Sequence, residues 1–243
     1  MAAPQKITAW SYSRWSTYED CPLKAKYKFV DKLSEPGSAA MDRGIHFHKV
    51  AEIYATSPKV PTAKTIDDLA LTYEDKQGKT NRVTLKDLTP IIADLKEARK
   101  GRPIAEQEWS FTSNWEPTGW FSKDAWCRIK TDLVFAKDDH LVIVDHKTGK
   151  RNENAHKSQL SLYALGGFIK YPMIDKIRTE VWYIDQGRPY PNEVYERHEL
   201  EDIKAAWEDK TRRMLNDTQF APRPSNSCRW CHFRKSNGGP CDF

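Results

Sequence analysis

The sequence predicts an α/β fold with a central mixed sheet. Three observations carry this prediction: helix-like and strand-like segments alternate along the chain, a β-branched run stands at 142–144, and Asp138-Asp139 forms a turn signal between two strand-like segments. An order of helices, strands, a helix, strands and a helix is typical of a sheet covered by helices.

The first third of the chain is expected to be mainly helical. Ser13 is expected to cap a short helix, and Pro22 is expected to open a second one. The apolar spacing predicts a longer helix over 42–54. The polar residues 72–84 are expected to form a loop.

The remaining elements follow in a regular order. Thr89-Pro90 is typical of a helix start, and Gly101 is expected to end that helix. Apolar and β-branched spacing then predicts strands, helices and turns. Strands are expected at 106–112, 126–136, 141–146, 177–185 and 193–198, and helices at 157–170 and 200–216.

Length and composition exclude several classes of protein. The chain has 243 residues, enough to bury a core without disulfide staples, and its 12% aromatic content argues against disorder. No apolar run approaches the roughly 18 residues that a transmembrane helix needs, and the first residues do not resemble a signal peptide. We therefore expect a cytoplasmic protein without a membrane partner. A net charge of +5 permits an anionic partner but does not require one.

Two acids and a lysine are the most informative feature. Asp132 and Asp145 fall on strand-like segments that are expected to pair as a hairpin, so their carboxylates can lie close together. Lys147 stands two residues after Asp145 and therefore points to the same strand face. Carboxylates hold Mg²⁺ or Mn²⁺, and such an ion next to a lysine can promote phosphodiester hydrolysis. The alternative interpretation is a salt bridge at the surface end of a strand.

These residues and their neighbours resemble the PD-(D/E)XK nucleases, and within them the RecB-like exonucleases. The resemblance rests on Asp132, on the run 143–150 and on the run 159–164. It spans the chain from Ser11 to Cys241. Its motifs are loose individually but specific in combination and order.

A segment upstream, 43–52, resembles the glycine-plus-histidine helix of the same family. In that family the histidine stands four residues after the glycine. This spacing selects His48 rather than His46.

The resemblance implies a metal-dependent DNA exonuclease with a restriction-endonuclease-like core. Lys147 would be the catalytic lysine, and Gln159 and Tyr163 would contact the substrate strand or orient that lysine. Either Glu106 or Glu108 adds an acidic group. The metal ligands that the resemblance implies are His48, Asp132, Asp145 and the backbone carbonyl of His146. The side chain of His146, on the opposite strand face, is expected to pack or to face solvent.

The cysteines form a second pattern. Cys228 and Cys231 are a C-x2-C pair, Cys241 follows, and Cys21 stands alone near the start. Thiolates at such spacing hold Zn²⁺ or an iron–sulfur cluster, and the spacing alone leaves both open. Cys127 is expected to be a small buried hydrophobe.

The order of one cysteine near the start and three near the end resembles AddB-type subunits and CRISPR-associated RecB-like exonucleases. That resemblance implies a 4Fe–4S cluster, with zinc as the alternative. The last spacer, which contains Gly238-Gly239-Pro240, is longer than the family's usual one.

The expected organisation is a single nuclease domain, 1–243. Within it, 42–217 would be the catalytic core, and the segments 8–35 and 218–243 would be joined by the cluster. The expected partner is DNA, as ends or single strands, together with proteins of recombination, repair, replication or CRISPR spacer acquisition. The expected setting is the cytoplasm of a bacterial, archaeal or phage-infected cell.

Basic residues near these motifs are suited to phosphate contacts, which give affinity without sequence specificity. They are Lys24, Lys26, Lys28, Lys96, Arg99, Lys100, Arg102, Lys147, Lys150, Arg151, Lys210, Arg212 and Arg213. The amino-terminal aromatics suit base stacking, although Trp15 and Tyr18 have the helical spacing of core residues.

Two other functions stay open: a catalytically idle subunit that binds DNA ends, and an endonuclease of the same fold.

Overall fold

A computed structural model of the protein describes residues 5–69, 71–75, 77–149, 153–185, 188–189 and 193–243. Its α-helices are α1 (Tyr12–Asp20), α2 (Pro22–Ala25), α3 (Ala39–Thr56), α4 (Ala63–Asp67), α5 (Ile92–Lys100), α6 (Glu153–Lys170) and α7 (Leu200–Asn216). Its strands are β1 (Thr72–Glu74), β2 (Thr80–Arg82), β3 (Ile104–Phe111), β4 (Pro117–Thr118), β5 (Cys127–Lys137), β6 (His140–Lys147), β7 (Lys176–Tyr183), β8 (Arg188–Pro189) and β9 (Glu193–Glu196). Short 3₁₀ turns occupy Leu85–Ile91, Arg197–Glu199, Asn226–Trp230 and Lys235–Asn237, and Lys26–Val30 is a π-helical turn.

Two helix starts differ from the sequence-based expectation. Helix α1 is capped by Ser11, whose hydroxyl accepts the Arg14 N–H at 3.4 Å, and Ser13 lies inside the helix. The helix at Thr89-Pro90 begins earlier, as a 3₁₀ turn with Pro90 inside it. It starts earlier because the Asp87 carboxylate accepts both the N–H and the hydroxyl of Thr84, at 2.7 and 2.6 Å.

The expected loop over 72–84 contains a short hairpin of β1 and β2. The Asp75 carboxylate shapes its turn by accepting the N–H groups of Gln77 and Lys79, both at 3.0 Å. The Asp75 side chain therefore stabilises the turn of a hairpin whose strands are polar.

The chain divides into two compact units. The first comprises Met1–Pro36, Ser110–Arg128 and Lys204–Phe243, and the second comprises Gly37–Trp109 and Ile129–Ile203. Both expected terminal segments, 8–35 and 218–243, lie in the first unit. The description as one nuclease domain with a 42–217 core stays a prediction.

The first unit is built on indole packing. The Trp10 ring stacks on Trp207 with centroids 5.5 Å apart and meets Trp115 and Trp126 edge-on, at 6.1 and 5.3 Å. Tyr18 is fully buried. Trp10 and Tyr18 therefore lie in a core and are not available to stack on bases.

The second unit holds the mixed sheet. Its strand order is β3-β5-β6-β7-β8, and β9 also pairs with β7. Strands β6 and β7 are parallel, whereas β6 pairs antiparallel with β5 and β7 pairs antiparallel with β8 and β9. Parallel neighbours need a crossover connection, and α6 supplies it. The predicted α/β class with a central mixed sheet is confirmed.

Helices cover both faces of this sheet. On one face, residues of α3 and α5 pack with Val142 and Val144 of β6. On the other face lies α6, where Gly166 and Gly167 allow a close approach. A Cβ at position 167 would stand 2.7 Å from Cδ1 of Ile177 and 2.8 Å from Cδ1 of Ile143. Among the described helices, none is long and apolar enough to cross a bilayer.

Replacing Gly167 with alanine tests this close approach. Helix propensity alone predicts a gain of about 1 kcal/mol in the free energy of unfolding. We expect a loss of about 1–3 kcal/mol instead, because the new methyl overpacks two buried isoleucines. Urea denaturation measures the difference. Gly37→Ala, where the methyl enters open space, is the matched control, and a more stable Gly167→Ala protein would contradict the packing.

Candidate functional site

One cleft in the second unit collects the predicted catalytic side chains. Its lining includes all six of them: His48, Asp132, Asp145, Lys147, Gln159 and Tyr163. They come from α3, from the paired strands β5 and β6, and from α6. Residues far apart in sequence therefore meet at one end of the sheet.

The Asp145 carboxylate is the most enclosed group of the cleft, with 3% of the residue exposed. The Lys147 ammonium lies 2.7 Å from its Oδ2. Its Oδ1 accepts hydrogen bonds from the Gln159 amide and the Tyr163 hydroxyl, both at 2.9 Å. The Gln159 amide also donates to the Tyr163 hydroxyl at 2.7 Å. One carboxylate therefore organises the lysine and both predicted residues of α6.

Burial raises the pKa of Asp145 above its usual value. The Lys147 ammonium opposes this shift, and the nearby Asp132 carboxylate adds to it. Burial and the Asp145 charge also raise the pKa of Tyr163, so its hydroxyl remains a donor at neutral pH.

A second group forms around Asp132. Its Oδ1 lies 3.3 Å from Nδ1 of His48, and its Oδ2 accepts the backbone N–H of His146 at 2.6 Å. Burial acts to raise the pKa of Asp132, but His48, together with the ring and backbone N–H of His146, outweighs burial and holds that pKa below its usual value. Burial acts to lower the pKa of His48, and Asp132 outweighs that effect and raises it. The structure thus brings His48 and Asp132 together, while Asp145 is bound mainly by Lys147 and α6.

The side chain of His146 is a member of the site that the sequence did not indicate. One ring nitrogen of His146, one of His48 and one oxygen of Asp132 all lie within 4.8 Å of one another, close enough to share an ion. Burial lowers the pKa of His146 to about 4, so its imidazole is neutral at neutral pH. The alternation of side chains along β6 could have predicted the burial of His146. Val142, Val144 and His146 lie on the same face of the strand, which is the face that α3 covers.

Glu106 lines the cleft and Glu108 does not, which favours Glu106 as the additional acid. The Glu106 backbone is left-handed, with φ 51, inside strand β3. Such a residue is strained, and strained residues are concentrated at functional sites. Its carboxylate lies 2.8 Å from the ammonium of Lys130, which also lines the cleft. The sequence did not indicate Lys130 as a phosphate contact. Lys130 lies two residues before Asp132 on β5, and the two side chains share one face of the strand.

Several basic residues chosen for phosphate contacts have structural partners. The Arg99 guanidinium donates to the carbonyl oxygens of Ala55 and Ser57, at 3.1 and 2.7 Å. Lys28 forms an ion pair with Glu35. Lys150 and Arg151 lie outside the described residues.

The turn after Lys147 is fixed by a charged contact. The Arg43 guanidinium holds Asp185 in a bidentate pair at 3.0 and 2.5 Å, and Asp185 also accepts the Gly149 N–H at 2.8 Å. Gly149 has φ +98, which only glycine adopts without strain. The hydrogen bond from Arg43 lowers the pKa of Asp185. The helix that carries His48 and the turn that follows Lys147 therefore share one anchor.

A separate pocket in the first unit collects four of the five cysteines. Its lining includes Cys21, Cys228, Cys231 and Cys241. The Cys21 sulfur accepts the Arg223 N–H at 3.5 Å, and the Cys228 sulfur accepts the Ser225 N–H at 3.3 Å. All are free thiols. Across the described ranges, no three of these sulfur atoms lie within 4.8 Å of one another.

Cys127 is fully buried and is not part of this pocket. Burial raises the pKa of its thiol well above the usual value. It behaves as the predicted small hydrophobe.

Replacing Asp185 with asparagine tests the anchor beside the cleft. The Asp185 pKa is lower in the folded protein than in the unfolded chain. Its contribution is therefore present above the unfolded pKa of about 3.9 and is lost as the pH falls through the folded value. We expect Asp185→Asn to lower the free energy of unfolding by about 1 kcal/mol at pH 7, with a smaller difference from wild type at pH 3. Urea denaturation at both pH values measures it. Asp68→Asn, in an exposed ion pair at 3.9 Å, is the control, and a pH-independent Asp185→Asn effect would refute the assignment.

Comparison with known proteins identifies a family and solved structures to which the chain is similar. A family model described as the PD-(D/E)XK nuclease superfamily matches residues 9–236. The chain is similar to the crystal structure of a candidate exonuclease from Eubacterium rectale, with 13% identity and a TM-score of 0.53 over 93% of this chain and 87% of that one. At this identity the similarity concerns the fold alone.

A second solved structure, named SSO0001, has 14% identity and a TM-score of 0.39 over 96% of this chain and 87% of that one. A TM-score of 0.39 is too low to establish that the two proteins share a fold. No curated protein matches. The family match extends over nearly the whole chain and includes every residue of the cleft. The chain belongs to the PD-(D/E)XK nuclease superfamily.

Proposed function

We propose that the protein is a Mg²⁺- or Mn²⁺-dependent deoxyribonuclease that hydrolyses phosphodiester bonds at DNA ends or in single strands. The observation that carries this proposal is the convergence of all six motif side chains on one cleft. A pair of carboxylates beside a lysine suits this reaction, because the acids can hold a cation against a phosphate and the lysine can stabilise the developing charge.

The donor groups fit a divalent ion, and the residues that would hold it are His48, Asp132 and Asp145. A bound Mg²⁺ or Mn²⁺ would polarise a phosphate oxygen and lower the pKa of a bound water. Asp132 suits this role because its depressed pKa keeps the carboxylate ionised. The contact with Asp132 favours the protonated ring of His48. Metal binding therefore requires His48 to lose that proton.

Lys147, Gln159 and Tyr163 have different proposed roles in the reaction. Lys147 is held by Asp145 at the point where the two strands meet the cleft, so its ammonium is placed to donate to a phosphate oxygen or to the attacking water. Gln159 and Tyr163 bind Oδ1 of Asp145 and leave Oδ2 to the lysine. Both are therefore positioning residues.

The proposed substrate is DNA with an accessible end or an unpaired strand. The superfamily supports a nucleic-acid substrate, and our proposal narrows it to DNA. The proposed setting is the cytoplasm of a bacterial, archaeal or phage-infected cell, in recombination, repair, replication or spacer processing. Proteins of those processes are the proposed partners.

We also propose that the four-cysteine pocket holds a 4Fe–4S cluster. Its support is the convergence of Cys21 with the three carboxyl-terminal cysteines, and two N–H···S contacts that favour thiolates. A single zinc ion is the alternative occupant, because four thiolates can hold either group. The cluster would cross-link both ends of the chain within the first unit.

Digestion of end-labelled linear DNA tests the nuclease. We expect Lys147→Ala and Asp145→Asn each to reduce the Mg²⁺- or Mn²⁺-dependent rate by at least about 100-fold, because each removes a group that stabilises the transition state. DNA affinity, measured by fluorescence anisotropy, should change by less than about threefold, because Lys147→Ala removes one phosphate contact among several and Asp145→Asn removes none.

Lys137→Ala is the matched control, since Lys137 ends strand β5 outside the cleft. Equal digestion by wild type and Lys147→Ala would reject the mechanism. DNA binding by a wild type that never cleaves would indicate an idle end-binding subunit. Rapid cutting of supercoiled circular DNA would indicate an endonuclease.

Anaerobic purification tests the cluster. We expect brown protein with about four iron and four sulfide per chain, and loss of both in Cys21→Ser and Cys241→Ser. Cys127→Ser should keep its colour, because that thiol lies outside the pocket. Colourless wild-type protein with stoichiometric zinc would reject the cluster and leave the nuclease proposal unaffected.

A further inference from the structure

His146 presents an unexplained buried nitrogen. Its side chain is 3% exposed, and its Nε2 has no hydrogen-bond partner among the residues that the structure describes. An unsatisfied buried polar atom costs about 1–3 kcal/mol. A bound ion at this nitrogen would remove that cost.

The surroundings of the ring indicate what that ligand is. The His48 and His146 rings lie with centroids 5.7 Å apart and planes at 88°, and the Asp132 carboxylate borders both. The three ligand atoms lie within 4.8 Å of one another. Ligands on opposite sides of one ion, each at about 2.1 Å, stand about 4.2 Å apart. Small shifts of the side chains therefore suffice for all three to bind one ion.

We infer that the His146 imidazole is a ligand of the metal in this cleft, and that the site selects a transition ion such as Mn²⁺ over Mg²⁺. This inference rests on the proposed function, because it concerns the same site. A second imidazole beside His48 and the carboxylates makes the ligand set suit borderline transition ions, whereas Mg²⁺ prefers oxygen ligands and keeps its water.

A packing role is the competing explanation, since the His146 ring also lies 5.5 Å from the Trp182 ring. The two explanations differ in what they predict for metal binding. Loss of packing changes stability without regard to the identity of the ion. Loss of a nitrogen ligand weakens Mn²⁺ binding much more than Mg²⁺ binding.

The experiment measures ion binding without DNA. Mn²⁺ binding is followed by the electron paramagnetic resonance signal of the free ion, and Mg²⁺ binding is measured by competition. We expect His146→Leu to weaken Mn²⁺ binding by at least about tenfold and Mg²⁺ binding by less than about threefold. His140→Leu, at the opposite end of strand β6, should leave both unchanged.

A second measurement needs no variant. Electron spin echo modulation of Mn²⁺ bound to the wild type reports the imidazole nitrogens attached to the ion, and we expect two. A single coordinated nitrogen would overturn the inference, and so would an equal loss of both affinities in His146→Leu. His146→Asn replaces the leucine variant if the latter does not fold.

The two proposals fail separately. A wild type that binds Mn²⁺ through two imidazoles but does not cleave DNA removes the nuclease proposal and retains this one. A wild type that cleaves DNA but binds Mn²⁺ through a single imidazole nitrogen retains the nuclease proposal and removes this one.

Discussion

A buried carboxylate at the end of strand β6 is the constraint on which the site depends. Asp145 lies in the sheet interior, where an unpaired charge costs several kcal/mol. The fold meets this cost with an ammonium, an amide and a hydroxyl, all within 2.9 Å of its oxygens. Because Gln159 and Tyr163 must reach the same atom, α6 has to lie close to the sheet. The paired glycines of α6 permit that distance.

The two acids of the cleft are placed in contrasting environments. The pKa of Asp145 is raised, mainly by burial, whereas the pKa of Asp132 is held down, mainly by His48. Adjacent carboxylates with opposite shifts perform different tasks in many enzymes. Asp132 therefore holds a proton less tightly than Asp145, and the Lys147 ammonium is the group that most favours the ionised form of Asp145.

The sequence was sufficient to predict features that depend on residues close together along the chain. The α/β order, the acidic hairpin, the lysine two residues after Asp145 and the bounds of α7 all follow from short-range periodicity. The cleft around those residues follows from strand pairing. Relations set by tertiary contacts were not predictable: the ring of His146 meets His48 only because α3 packs over that end of β6. The ion pair of Glu106 and Lys130 likewise depends on a left-handed residue that no pattern of side chains reveals.

The discontinuous make-up of the first unit bears on how the protein matures. Its parts come from the beginning, the middle and the end of the chain, and Trp10 packs on Trp207 across nearly two hundred residues. During synthesis the Trp10 ring can meet Trp115 and Trp126 first, and its stacked partner Trp207 follows only when the last helix leaves the ribosome. The second unit ends at Ile203 and has all its strands earlier. We therefore expect the unit that carries the cleft to complete its packing before the first unit does.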